Sequence, residues 1–112
     1  MMFHFEAQKF NLGEGLTYRP NFILPTIQVE GRQVILEPPG VWKGDHVEQV
    51  TTKYRRFREM FGSLYYFILI VQSNEYYRIR DGYPDSYDDI VESHRMGDLL
   101  YMLKSDGYKT LF

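Results

Sequence analysis

The 112 residues fit one domain, large enough to bury a core without covalent staples. The absence of cysteine excludes a disulfide framework, thiolate metal sites and cysteine nucleophiles together. The formal net charge of −2 favours no polyanionic partner by itself, and no stretch reaches the ~20 apolar residues of a membrane-spanning helix.

Residues 1–6 lack the basic start and apolar core of a secretory signal, so the expected setting is the cytoplasm, with no membrane partner. Residues 3–8 alternate apolar and polar and predict a half-buried strand. Asn11-Leu12-Gly13-Glu14-Gly15 reads as a loop. Its two glycines lack the following Lys-Ser/Thr or completed glycine fingerprint of a phosphate cradle, so no nucleotide motif is assigned. Residues 21–29 are expected to be extended, with Pro25 marking an edge or a bulge. Ile27 and Val29 face Val34 and Leu36 across Glu30-Gly31-Arg32-Gln33, which predicts a hairpin. Pro38-Pro39-Gly40 ends it, and Trp42 is read as a lid over the core.

Asp45 followed by Glu48 resembles a capping box. From there Val47, Val50, Tyr54, Phe57 and Phe61 recur at helical spacing, and Gly62 closes the helix. The run Leu64-Tyr65-Tyr66-Phe67-Ile68-Leu69-Ile70-Val71 is too short to cross a bilayer. It is rich in β-branched and aromatic residues, so it predicts an interior strand buried on both faces. Gln72-Ser73-Asn74-Glu75 then reads as a turn and residues 76–80 as a partner strand. In that strand Tyr77 and Ile79 share one face, and Tyr76, Arg78 and Arg80 the other. A helix is expected from Ser86, with Tyr87, Ile90, Val91 and His94 as its apolar stripe. A second short helix follows beyond Gly97, capped by Asp98 and carrying Leu99, Leu100 and Leu103, with Gly107 as its stop. Residues 108–112 are read as a short strand or an apolar tail. The resulting class is α+β: a small two-layer sandwich, mostly antiparallel, of about five strands with helices on one face.

Catalytic and metal chemistry find little support. His4, His46 and His94 have no metal-helix spacing and no clustered carboxylates beside them. Asp45-His46 near Trp42 is the one pair worth testing as a base. Asp81, Asp85, Asp88 and Asp89 do not match an EF-hand spacing, and Pro84 interrupts the loop. Ser63, Ser73, Ser86, Ser93 and Ser105 sit at expected turns or helix ends, with no nucleophile elbow. The expectation is a non-enzyme with no cofactor and no metal.

Charge is unevenly spread. Residues 53–80 carry six basic and two acidic residues, whereas residues 81–112 carry three basic and seven acidic. Two binding readings follow. The leading one is a protein-binding module (an adaptor, an inhibitor or immunity protein, or an assembly component of phage-like type) contacting its partner through Tyr65, Tyr76, Tyr77, Arg78 and Arg80. Tyr and Arg suit interface cores, and an exposed strand 76–80 would permit a homo-oligomer. The alternative is a small single-stranded nucleic-acid-binding protein, with Lys53, Arg55, Arg56 and Arg58 as phosphate contacts beside aromatic side chains.

Overall fold

A computed structural model describes residues 4, 5, 8–38 and 46–104. Trp42, Asp45, Gly107 and residues 108–112 lie outside the described residues, so the expected lid, the helix cap, the Asp45 neighbour of His46, the helix stop and the terminal strand or tail fall there too. The first strand, β1, is described at His4–Phe5 alone.

Residues 11–15 are not a loop. Strands β2 (Phe10–Gly13) and β3 (Leu16–Tyr18) form an antiparallel hairpin, and Gly13, Glu14 and Gly15 all take positive φ at its turn. The two glycines therefore serve a backbone conformation that a β-carbon disfavours. Alternation on these strands buries Phe10, Leu12 and Tyr18 and leaves Lys9, Asn11, Thr17 and Arg19 exposed.

The next hairpin joins β4 (Phe22–Val29) to β5 (Arg32–Glu37). Its turn is the two-residue Glu30-Gly31, both left-handed, as tight hairpins of right-handed twist require. The register breaks between Leu24 and Gln28. Pro25, which has no N–H to give the ladder, thus sits in a bulge.

Helix α1 (His46–Phe61) follows and returns the chain to β6 (Tyr65–Val71), which pairs parallel to β5. Strand β6 is interior, as its composition predicts. Phe67, Leu69 and Val71 enter the core beneath α1; Tyr66, Ile68 and Ile70 enter a second core on the opposite face.

Residues 72–95 depart most from the sequence reading. The segment expected as a turn and an edge strand is helix α2 (Ser73–Gly82). The segment expected as a helix contains the short strand β7 (Asp89–Glu92), parallel to β6 and flanked by single 3-10 turns. Parallel neighbours need a crossover of a dozen residues or more, and α2 supplies it. Tyr76 and Ile79, three apart, are the buried face of that helix. Helix α3 (Met96–Lys104) begins before Gly97, with Asp98 in its first turn, and buries Leu99 and Leu103.

The sheet order is β1-β4-β5-β6-β7. The fold is α+β, with a mixed sheet: antiparallel through β1, β4 and β5, parallel through β5, β6 and β7. Helices α1 and α2 and the β2–β3 hairpin cover one face, and α3 covers the other. Helices are thus not confined to one side, and this is why β6 is apolar on both faces. Among the described residues no helix is long and apolar enough to cross a membrane.

Candidate functional site

Most of the predicted contact residues do not form a common surface. Tyr76 is 7% exposed and belongs to the core. Tyr65 is half-buried in an aromatic cluster, 5.5 Å from Phe10 and 5.8 Å from Phe57 between ring centroids. Tyr77, 64% exposed, lies on the outer side of α2 beneath Arg80, whose guanidinium stands 4.7 Å from the ring centre. Arg80 bonds Asp81 and Arg78 bonds Glu75. The shared face of Tyr76, Arg78 and Arg80 required residues 76–80 to be extended; winding them into a helix turns Tyr76 inward and Tyr77 outward.

The predicted phosphate contacts on α1 separate as well. Arg58 donates to the Asp85 carbonyl at 2.7 Å and to Asp88 Oδ1 at 2.9 Å. Arg32 reaches the same carboxylate oxygen at 3.2 Å and the Gly62 carbonyl at 2.9 Å. The other oxygen of Asp88 accepts the Phe67 N–H at 2.8 Å. Arg58 is therefore committed to a structural knot that ties α1 and β6 to the segment leading into β7. Arg55 pairs with Glu59 on the surface, and Arg56 pairs with Glu14 at the tip of the β2–β3 hairpin.

Lys53 has a different neighbourhood. One turn from Val50 and beside Tyr54, it lines a pocket of about 450 Å³ together with Lys9, Thr17, Tyr18, Arg19 and Glu37. The construction follows from the elements. The hairpin docks its apolar face on α1 through Phe10 and Tyr18, which carries Lys9 and Arg19 to the rim. Glu37 ends β5, at the carboxyl edge of the parallel strands, where ligands of open α/β sheets usually sit. Lys9, Arg19 and Lys53 form no ion pair among the described residues.

The floor of the pocket is a buried carboxylate. Glu37 is 5% exposed. Its Oε1 accepts the Tyr18 hydroxyl at 2.5 Å and the Asn21 N–H at 3.1 Å, while among the described residues its Oε2 has the Tyr54 hydroxyl at 3.4 Å. Burial raises its pKa above the ordinary 4.5, against the lowering pull of those three donors and the Lys53 charge. Burial, reinforced by the Glu37 charge, also raises Tyr18 and Tyr54, so both phenols stay neutral donors.

The stability consequence has a definite sign. A carboxyl whose pKa is raised on folding binds its proton more tightly in the native state. Its contribution is full below the unfolded value and is lost as pH rises through the folded one. Urea midpoints of the wild-type protein should therefore fall, relative to those of Glu37→Gln, as pH rises from about 4 towards 7. A midpoint that rises relative to Glu37→Gln over that range would contradict the burial account.

A larger groove of about 660 Å³ runs between α1 and residues 82–86, lined in part by Thr51, Thr52, Tyr83 and Asp85. It gathers no comparable set of cations, and the Thr51 hydroxyl is already bonded to the Val47 carbonyl at 2.7 Å. His94 is exposed and 3.2 Å from the Ser73 hydroxyl, rather than part of an apolar stripe. No group of three or more His, Cys, Asp or Glu able to hold a metal occurs among the described residues. Lys9, Arg19 and Glu37 had escaped the sequence reading. Their signal was the alternation on either side of Gly13-Glu14-Gly15, which aligns Lys9 with Arg19 across a hairpin once that segment is read as a turn.

No protein-family model, no curated protein and no solved structure matches this chain.

Proposed function

We propose that the protein binds single-stranded nucleic acid at the pocket between the β2–β3 hairpin and α1, without catalysing a reaction, in a cytoplasmic setting. The observation that carries this reading is the convergence of Lys9, Arg19 and Lys53, from three chain segments and none of them ion-paired among the described residues, on one concave site. Cations gathered around a groove are the electrostatic footprint of phosphodiester binding. The carboxylate on the floor argues against a bare phosphate filling the pocket. It suits a ligand with an anionic backbone and a donor-bearing body, which describes a nucleotide in a strand. Arg56, one helical turn from Lys53 and paired with Glu14 at the surface, would extend the track.

The test is a binding titration with a labelled mixed-sequence single strand at about 50 mM salt. Arg19→Ala combined with Lys53→Ala should weaken binding about tenfold or more, two phosphate contacts being lost. Arg78→Ala combined with Arg80→Ala should leave it unchanged, and polyglutamate of matched charge should not compete. Failure of the wild-type protein to bind any oligonucleotide, or sensitivity to the Arg78/Arg80 pair alone, would overturn the reading.

A further inference from the structure

The nucleic-acid reading leaves open what occupies the pocket itself, and the hydrogen-bond inventory of Glu37 bears on that. Oε1 is filled: the Tyr18 hydroxyl and the Asn21 N–H take both of its lone-pair directions. Oε2 is not: among the described residues its donor is Tyr54, at the long distance of 3.4 Å. A carboxylate oxygen in so buried a position is costly to leave short of donors. Every described partner of Glu37 donates to it, so the group acts as an acceptor. Lys9, Arg19 and Lys53 surround the same opening and suit a phosphate, and a volume of about 450 Å³ admits a nucleobase.

Resting on the proposed function, we infer that the pocket receives one unstacked nucleobase bearing an exocyclic amino group. The amino group donates to Glu37 Oε2 while the adjoining phosphate lies against the cationic rim. Carboxylates accept from the cytosine amino group in this manner, and single-strand readers take splayed bases by their Watson–Crick edges. Thymine and uracil offer a carbonyl where cytosine offers the amine, so they would meet Oε2 acceptor to acceptor. Asn21 strengthens the argument from the protein side. Its amide donates to the Pro38 carbonyl at 3.1 Å while its N–H holds Oε1, so the carboxylate is fixed with Oε2 as the less satisfied oxygen.

The experiment compares labelled oligo-dC with oligo-dT of equal length on the wild-type protein, Glu37→Gln and Tyr54→Phe. The wild type should favour dC by on the order of tenfold, the worth of one hydrogen bond to a charged group. In Glu37→Gln the amide oxygen keeps Tyr18 and Asn21, which places its NH₂ where Oε2 stood, and the preference should reverse towards dT. Tyr54→Phe removes the competing donor at Oε2 and should widen the dC preference, and a preference that narrows would overturn the inference. It keeps the test informative if the Gln variant folds poorly. Equal wild-type affinity for dC and dT, or an unchanged ratio in a folded Glu37→Gln, overturns this inference and leaves the proposed function standing. Binding to neither strand overturns both.

Discussion

Replacing Asp88 with alanine is expected to cost about 3 kcal/mol of folding stability, read as a lowered urea midpoint. The carboxylate is 10% exposed and faces two arginines, Arg32 and Arg58, that are themselves only 20% and 25% exposed. Alanine would take the anion from Arg58, leave Arg32 with the exposed Glu30 carboxylate in place of the buried one, and leave the Phe67 N–H without the Asp88 acceptor. Losing one partner of a desolvated pair costs more than the pair contributes when intact. Asp88→Asn should recover part of the loss, because an amide oxygen can still accept, and an alanine variant no less stable than the asparagine one would rule out the charge-based explanation. Nucleic-acid affinity of the folded fraction should change little, since none of these groups lines the pocket over Glu37.

Phe57→Ala should be comparably damaging, at about 3–5 kcal/mol, and should also reach the proposed binding pocket. Phe57 is fully buried, with ring centroids of Phe10 at 4.9 Å, Tyr18 at 5.0 Å, Phe61 at 5.4 Å and Phe67 at 6.0 Å. Two of these rings belong to the hairpin that carries Lys9 and Arg19. A cavity at Phe57 would loosen the docking of that hairpin on α1. Oligonucleotide affinity should therefore drop in Phe57→Ala although no charge is removed, while Phe57→Leu, which leaves a smaller cavity, should lie between. A destabilised Phe57→Ala that binds at full strength would show that the hairpin is not positioned through this aromatic cluster.

Those two sites also show where the sequence could be read and where it could not. Phe57 was legible: it sits mid-stripe in a helix whose period is unbroken over four turns, and burial followed the period. The eight-residue apolar run was legible because a strand buried on both faces needs no alternation. The reading failed at 72–95 because both segments are short. Tyr-Tyr-Arg-Ile-Arg alternates acceptably as a strand, yet Tyr76 and Ile79 also fit a helix; Tyr87, Ile90, Val91 and His94 fit a helix, yet only four residues there are needed as a strand. Periodicity cannot separate such cases. The deciding fact was tertiary: β7 lies parallel to β6, which forces a crossover between them. Likewise, nothing local marks Asp88 as the meeting point of Arg32 and Arg58, 56 and 30 residues away.

The basic segment 53–80 was visible as composition, but composition does not say which charges are already used. The fold commits Arg58 to Asp88, pairs Arg55 and Arg56 on the surface, and leaves Lys53 for the pocket. It then adds Lys9 and Arg19, which lie outside that segment altogether. A pocket that draws Lys9 and Arg19 from one hairpin and Lys53 from α1 is invisible to any short window along the sequence.

The salt dependence of single-strand binding tests the central claim most directly. For the wild-type protein, log affinity should fall linearly with log salt concentration. Exchange of Lys9, Arg19 and Lys53 together for alanine should flatten that slope by about 2, at roughly 0.7 per phosphate contact on a single strand. A wild-type affinity indifferent to salt, or a triple variant whose slope matches the wild type, would show that these three cations do not hold a phosphodiester chain.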